Sequence, residues 1–371
     1  MNLEEFRNYV RGWIKENLEL GKKILSLKGE RKDLDDYKEW QRKVYNAGLI
    51  GIWWPKEYGG YGGDPLQEFI AFEEFASAGI PYGSPVSTIG LRVVGPTLIY
   101  AGNEEQKRKY LRRILNGEDI WCQGFSEPGA GSDLANIQTR AEDKGNYFLV
   151  NGQKIWSSYA HLADYMILLA RTGKPEERYR GLTMFIVDMR WEGIKVSPIR
   201  QITGRSEFNS VYFENVKIPK ENVIGNVGEG WKVGMLVLNN ERFYIGLPMI
   251  LLAEAAFKNI KKSIHDVNQI EDLIMELIAI KVVYHRMSEM IKKGNPPGPE
   301  TAMIKLVASE ILQRLYENAM NQLGIEALIN EAEGRPDIIY GFLSSRSATI
   351  AGGTSEILRN LLGELVLKLP K

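Results

Sequence analysis

The chain is short of the residues on which much enzyme chemistry depends. Among 371 residues there is one cysteine, Cys122, so no internal disulfide can form, and this thiol usage points to a reducing, cytoplasmic setting. Histidine occurs three times, at His161, His265 and His285, with none of the spacings of a zinc site or of a histidine-assisted nucleophile. Hydrolytic triads and metal-assisted hydrolysis lose their material, and no metal site is expected. Neither sign of charge is in excess, since 47 Lys plus Arg balance 47 Asp plus Glu. The basic surplus of a nucleic-acid-binding surface and the net charge of a disordered tail are therefore both missing. No uninterrupted apolar run reaches the roughly 18 residues of a membrane span, so no membrane association is expected. Residues 1–18 read as a charged amphipathic helix, with Leu3, Phe6, Val10, Trp13 and Ile14 on one stripe, and not as a signal peptide.

What is present is a large apolar fraction, 44%, enough for a substantial core, arranged in three stretches of different period. Up to about Gly117 the pattern is helical, broken by glycine-rich loops at 54–63 and 79–83. Between about 120 and 225 the period changes to two, with β-rich runs at 147–150, 154–156, 165–170, 182–187, 194–198 and 211–213. Asn151-Gly152, between the first two runs, predicts a hairpin turn, because both turn positions favour positive φ. Beyond Gly230 the helical period returns. Leu273, Leu277, Ile280, Tyr284, Met287 and Ile291 mark one bundle helix, Ile304, Ala308, Ile311, Leu315 and Ala319 a second, and a last helix starts near Thr354. The expected fold is α+β: an N-terminal helical domain (1–118), a central antiparallel β-barrel or sandwich (119–228) and a four-helix-bundle-like C-terminal domain (229–371).

Gly129-Ala130-Gly131-Ser132-Asp133-Leu134 starts like a dinucleotide fingerprint, but it lacks the third glycine and the surrounding βαβ unit. Two readings of this loop stand on spacing alone: a tight turn leaving the β domain, or a loop offering backbone N–H groups and small hydroxyls to a ligand.

The wider text is more specific. The segment 121–133, containing Phe125-Ser126-Glu127-Pro128-Gly129-Ala130-Gly131-Ser132, followed by Asn151-Gly152-Gln153-Lys154-Ile155-Trp156-Ser157-Ser158, resembles the flavin-binding segments of the acyl-CoA dehydrogenase family. The resemblance runs in family order through Gly95-Pro96-Thr97, Asn103-Glu104-Glu105-Gln106-Lys107, residues 181–188, Asn239-Asn240-Glu241-Arg242 and Ala351-Gly352-Gly353-Thr354-Ser355-Glu356-Ile357, and so covers nearly the whole chain.

That resemblance implies FAD as cofactor, with Gln123, Phe125, Ser126, Gly131 and Ser132 along one side of the flavin, Trp156, Ser157 and Ser158 beside its ring, and Thr354 and Glu356 toward its pyrophosphate and ribityl side. Ser132, Asn239, Arg242 and Gly352 fall at substrate-side positions. It further implies an α,β-desaturation of an acyl-CoA thioester, in which a carboxylate removes the α-proton, flavin N5 takes the β-hydride, and electrons pass to an electron-transfer flavoprotein. Many members carry that carboxylate at the position occupied here by Gly352; another branch carries it on the first long helix after the barrel, where this chain has Glu241. Val237, Leu238, Tyr244 and Ile245 flank Glu241 by one helical turn, so its carboxylate projects from an apolar stripe where burial raises its pKa. Arg242 either shapes the pocket or pairs with an acid, and the Gly352 N–H is the group the family uses to polarise the thioester carbonyl.

Two family features are missing: an Arg-x-x-Phe-Gly segment in 257–270, and paired glycines around Leu323-Gly324-Ile325. Both resemble a subgroup with two-component tetramers, which leaves a homodimer, a homotetramer and a heterotetramer with a homologous subunit open. The alternatives to a dehydrogenase are a flavin monooxygenase or oxidase on the same fold, and a non-catalytic subunit of a heteromeric enzyme.

Overall fold

The computed structural model describes residues 1–329 and 338–370. Five helices come first: α1 (Leu3–Ser26), α2 (Leu34–Asn46), α3 (Pro65–Ser77), α4 (Gly95–Ala101) and α5 (Glu104–Leu115). Three of them start at reciprocal caps readable in the sequence, namely Asn2 with Glu5, Asp64 with Gln67, and Asn103 with Gln106. Helix α1 buries Phe6, Val10 and Ile14 as its periodicity predicts, and Arg7 and Arg11 both pair with Glu74 of α3, fastening the first helix to the third.

The central strands are β1 (Trp121–Gly124), β2 (Arg140–Asp143), β3 (Tyr147–Ser158), β4 (Tyr165–Arg171), β5 (Leu182–Asp188), β6 (Ile194–Ile199), β7 (Phe208–Pro219) and β8 (Val223–Ile224). They form one sheet in the order β6-β7-β3-β2-β4-β5-β8, with β1 also paired to β4. The sheet is mixed: β1 and β2 run parallel to β4, while the other pairings are antiparallel, so the expected antiparallel domain has a parallel corner where β1 enters. The sequence runs do not carry this, because strand direction depends on which distant segment each one meets.

The predicted hairpin at Asn151-Gly152 does not form. These residues lie inside β3, which pairs continuously with β7, and the register shifts between Val150 and Gly152. The positive-φ residue serves a β-bulge instead of a turn, and a side chain there would collide with Thr139. A second shift, between Lys154 and Ser157, lets Trp156 adopt a φ of 64° and leaves its indole 55% exposed.

Helices return with α6 (Gly230–Ile260), α7 (Asn268–Lys292), α8 (Thr301–Leu323), α9 (Glu326–Ile329), α10 (Ile338–Ala348) and α11 (Ser355–Leu361). The bundle stripes are nearly as read: Leu273, Leu277, Ile280, Tyr284 and Ile291 of α7, and Ile304, Ala308, Ile311, Leu315 and Ala319 of α8, are buried, while Met287 of α7 is half-buried. Helix α6 is by length and composition apolar enough to cross a membrane. Of that apolar stretch 44% is buried, α6 packs against the N-terminal helices, β5 and α8, and its buried side chains join one core extending from Phe6 to Ile338. A separate core fills the interior of the sheet around Phe148, Phe185 and Val211. Position 241 is thereby placed where all three parts of the chain meet.

Candidate active site

Glu241 projects from α6 between the sheet and the C-terminal helices. Gln123 of β1 donates to its carboxylate from 3.4 Å. Burial pushes the Glu241 carboxyl above the usual carboxylate range, and the Gln123 hydrogen bond and the nearby Arg242 and Lys305 charges oppose that rise without cancelling it. Among the described residues no cation comes within ion-pair distance of Glu241, so the carboxylate is near positive charge but not spent on it.

Opposite Glu241 is the turn of Gly352 and Gly353 that leads into α11. Gly352 has φ +70°, a conformation a side chain would strain, and a Cβ there would stand 3.3 Å from Glu241 Oε1. The two sequence positions that could carry the carboxylate thus face the same point in space. The Arg242 guanidinium donates to Gly352 O (3.2 Å) and to Asn239 Oδ1 (3.2 Å), and it pairs with no acid among the described residues. Burial holds its pKa below the ordinary guanidinium value. The N–H groups of Gly352 and Gly353 donate to no acceptor among the described residues.

Lys305 of α8 has no counterpart in the sequence reading. It is 4% exposed, donates to Gly353 O from 2.7 Å, and burial brings its ammonium down to about 8 despite the neighbouring Glu241 charge. Its signal was legible: Thr301, Ala308 and Leu312, at helical spacing around it, are apolar or small and buried, so a lysine there lies on the inner face of α8. Gly246 lets the helices approach closely enough to bring it in, since a Cβ there would stand 2.6 Å from Ile304. Asn240 anchors α6 on the other side by donating to Thr97, which joins two of the quoted motifs.

The second group of predicted residues surrounds β3, apart from Thr354 and Glu356, which belong to α11 beside α8. The loop of Ser126 to Ser132 is tied to it by the Ile155 N–H, which donates to Ser126 O from 2.9 Å. Beneath lies an ion pair absent from the sequence reading: Lys154, fully buried, meets Glu127 at 2.7 Å and donates to Phe125 O at 3.0 Å. Burial brings Lys154 down to about 8. Against its own burial, Lys154 and the N–H groups of Gln138 and Thr139 hold the Glu127 carboxyl below its usual range. The loop is therefore pinned from inside while its outer face stays open: Gly131 and Ser132 are exposed, and a Cβ at Gly129 or Gly131 would touch nothing. Beside it stand the exposed Trp156 indole and the partly accessible Ser158. Phe125 is buried, and Ser157 is fully buried with its hydroxyl unpaired, so outward contact at 157 falls to the main chain. Thr354 caps α11 by accepting from the Ile357 N–H, and Glu356 faces outward from the first turn. Among the described residues no cluster suited to a metal ion occurs.

Family models match the chain in three consecutive parts: acyl-CoA dehydrogenase, N-terminal domain, over residues 2–118; middle domain, over 122–216; and C-terminal domain, over 228–367. The chain belongs to the acyl-CoA dehydrogenase family. Acyl-CoA dehydrogenase IpdE1 of Mycobacterium tuberculosis is 34% identical over 383 residues, covering 100% of this chain and 98% of that one. The caffeyl-CoA reductase-Etf complex subunit CarC of Acetobacterium woodii is 31% identical over 346 residues, covering 88% of this chain and 89% of that one. The crystal structure of the ChsE4-ChsE5 complex from Mycobacterium tuberculosis superposes with a TM-score of 0.82 at 28% identity, covering 100% of this chain and 98% of its match.

As an acyl-CoA dehydrogenase, the protein is an oxidoreductase acting on CH–CH groups and a flavoprotein whose cofactor is FAD. Its residues fit that cofactor. A large aromatic face left exposed at a bulge, next to an internally pinned loop of small residues with open backbone, suits a planar ring bound mainly through main-chain groups.

Proposed function

We propose that the protein desaturates an acyl-CoA thioester between Cα and Cβ, with Glu241 as the base that takes the α-proton. The observation that carries this reading is the convergence of Glu241, Gln123 and the turn of Gly352 and Gly353 around one point, with the carboxyl raised by burial and engaged in no ion pair among the described residues. A base needs both an accessible lone pair and a pKa close enough to the working pH to accept a weakly acidic carbon-bound proton.

The bound FAD supplies the acceptor for the hydride that leaves Cβ. Ser126, Gly131, Ser132, Trp156 and Ser158 are assigned to hold it, with Gln123, Phe125 and Ser157 shaping that side and Thr354 and Glu356 at the far end. Trp156 contributes an apolar face and helps exclude water. Arg242 and Lys305 grip the carbonyls of Gly352 and Gly353, which fixes the turn and leaves the Gly352 N–H to donate to the thioester carbonyl oxygen. Drawing charge onto that oxygen makes the α-proton more acidic at the moment Glu241 removes it. Asn239 orients Arg242, and Ser132 lies on the substrate side of the loop.

We assign electron-transfer flavoprotein as the onward acceptor, a reading supported by the relative whose name places it in an Etf complex. We also infer association with a second copy or a homologous subunit. Met275, Ile278 and Val282 form an exposed apolar stripe on α7, unlike the outer face of a solitary helix, and a structural neighbour is a two-protein complex. The test of the reaction is direct: the purified protein is yellow and bleaches anaerobically on addition of an acyl-CoA it accepts. A flavin-loaded protein that no acyl-CoA bleaches contradicts it.

A further inference from the structure

One helical turn beyond Glu241, on the same side of α6, Tyr244 enters a cavity bounded by α3, the π-helical turn at Gly90–Val94, α6 and α7. Its walls are apolar, with Phe69, Phe72 and Leu247 among them, yet three polar atoms on it are unpaired, although Glu68 also accepts from the main chain at Ile52 and Trp53. Glu68 Oε2, Trp53 Nε1 and Tyr244 Oη are buried and lack a hydrogen-bond partner. The Arg92 guanidinium lies over the Phe72 ring at 4.4 Å and forms no ion pair among the described residues. Tyr82 also lines the cavity; its hydroxyl donates to Leu49 O and lies beside the Glu68 carboxylate. Trp53 and Tyr244 stack with an interplanar angle of 3°, which fixes where the indole N–H and the phenol point.

Buried polar groups are normally paired, and several unpaired around one cavity call for an occupant. The internal volume is about 30 Å³, the space of one water-sized group. The four side chains nevertheless keep some accessible surface, so the cavity is not sealed. Arg92 and Trp53 can only donate, Tyr244 can do either, and Glu68 accepts when ionised, so donors outnumber acceptors. Glu68 and Arg92 each lie within the other's field, so the surroundings already hold a group of either sign and do not call for a further charge. Burial pushes Glu68 up to about 7 and brings Arg92 down to about 10, which agrees with a buried site that disfavours net charge.

We infer that this cavity is a subsite for an uncharged oxygen substituent, a hydroxyl or keto group, carried by the acyl group at a position remote from the thioester. The inference rests on the acyl-CoA reading above and narrows it: the substrate is an oxygenated acyl chain or ring and not a plain hydrocarbon acid. Two of the donors Arg92, Trp53 and Tyr244 fill the oxygen's two acceptor positions, and a hydroxyl in turn donates a hydrogen bond to Glu68. A hydrocarbon tail of the same shape leaves those groups unpaired, which is how a polar-lined site discriminates.

The test uses the FAD-loaded protein and matched thioesters: 3-cyclohexylpropanoyl-CoA, its 4-oxo and 4-hydroxy derivatives, linear acyl-CoAs with and without a hydroxyl at successive positions from C6 outward, and a carboxylate-ended acyl-CoA. Dissociation constants and anaerobic bleaching rates are read separately. At least one oxygenated member binds about 10-fold or more tightly than its hydrocarbon match, and the carboxylate-ended one shows no such gain. Arg92→Met and Tyr244→Phe each shrink the ratio between matched partners toward one. Equal or tighter binding of every hydrocarbon partner in the unmodified protein overturns the inference, as does a preference for the carboxylate. Preference in binding without any bleaching supports the subsite and contradicts the dehydrogenation reading alone.

Discussion

A methyl carbon added to Gly352 would stand 3.3 Å from Glu241 Oε1, although the two residues are far apart in the chain. The helix after the barrel and the turn before the last helix, the two places to which the resemblance assigns the base, thus face one point in space. Exchange is the natural test. Glu241→Gly alone abolishes desaturation, and Glu241→Gly with Gly352→Glu restores a measurable part of it. The double variant stays below wild type, because position 352 has a φ of +70° and a side chain there strains the turn by about 1–3 kcal/mol. Steady-state turnover of the three proteins decides the matter; a double variant no better than the single one contradicts shared placement.

The second prediction concerns pH. Glu241 must be ionised to act, so kcat/KM rises with pH through a carboxyl pKa that burial has raised, and levels off above it. Lys305 holds that pKa down by its charge, so Lys305→Met moves the rising limb to higher pH. It also removes the hydrogen bond to Gly353 O, so KM rises as the turn loosens. An unmoved limb removes Lys305 from the site's electrostatics. The ammonium itself contributes to stability in a known direction. Burial brings it down to about 8 from the ordinary lysine value of 10.5, so the unfolded chain binds more protons between them, and stability rises as pH climbs through that window.

Much of this architecture is legible in the sequence. The change of period from 3.6 to 2 and back separates the helical regions from the sheet, and the stripes Leu273 to Ile291 and Ile304 to Ala319 bury nearly as read, because amphipathic spacing is local information. Glu241 is legible for the same reason: a carboxylate on an apolar stripe is a local anomaly. What distant partners decide is not legible. Asn151-Gly152 has the chemistry of a hairpin, but β7 offers β3 a continuous partner, and the dipeptide becomes a bulge. The pairing of Lys154 with Glu127, 27 residues apart, and the reach of Lys305 to Gly353, 48 residues on, depend on how elements pack. Yet Lys305, like Glu68, could have been flagged as a charge on an inward face.

The Lys154–Glu127 pair yields a stability prediction. Removing one member leaves the other charged and buried, so Glu127→Ala costs about 3–5 kcal/mol, measured by urea unfolding. Because Glu127 also accepts from the Gln138 and Thr139 N–H groups, the loop of Ser126 to Ser132 loses its inner fastening and FAD retention falls with it. A loss under about 1 kcal/mol with FAD fully retained shows that the pair does not position the loop.

Trp156 separates cofactor binding from folding. Its indole is 55% exposed and touches Phe208 edge-on, so Trp156→Ala changes stability by less than about 1 kcal/mol while weakening FAD binding by roughly tenfold or more. Equilibrium dialysis of FAD against both proteins is the measurement, and equal affinity takes Trp156 out of the cofactor site.

The central claim is that Glu241 is the base, and the most direct measurement is the anaerobic bleaching rate of FAD-loaded Glu241→Gln on mixing with an accepted acyl-CoA. The amide keeps the size of the side chain and the hydrogen bond to Gln123, so fold and FAD content stay at wild-type levels. The predicted result is bleaching slowed by roughly 10²–10⁴-fold; bleaching at the wild-type rate contradicts the account.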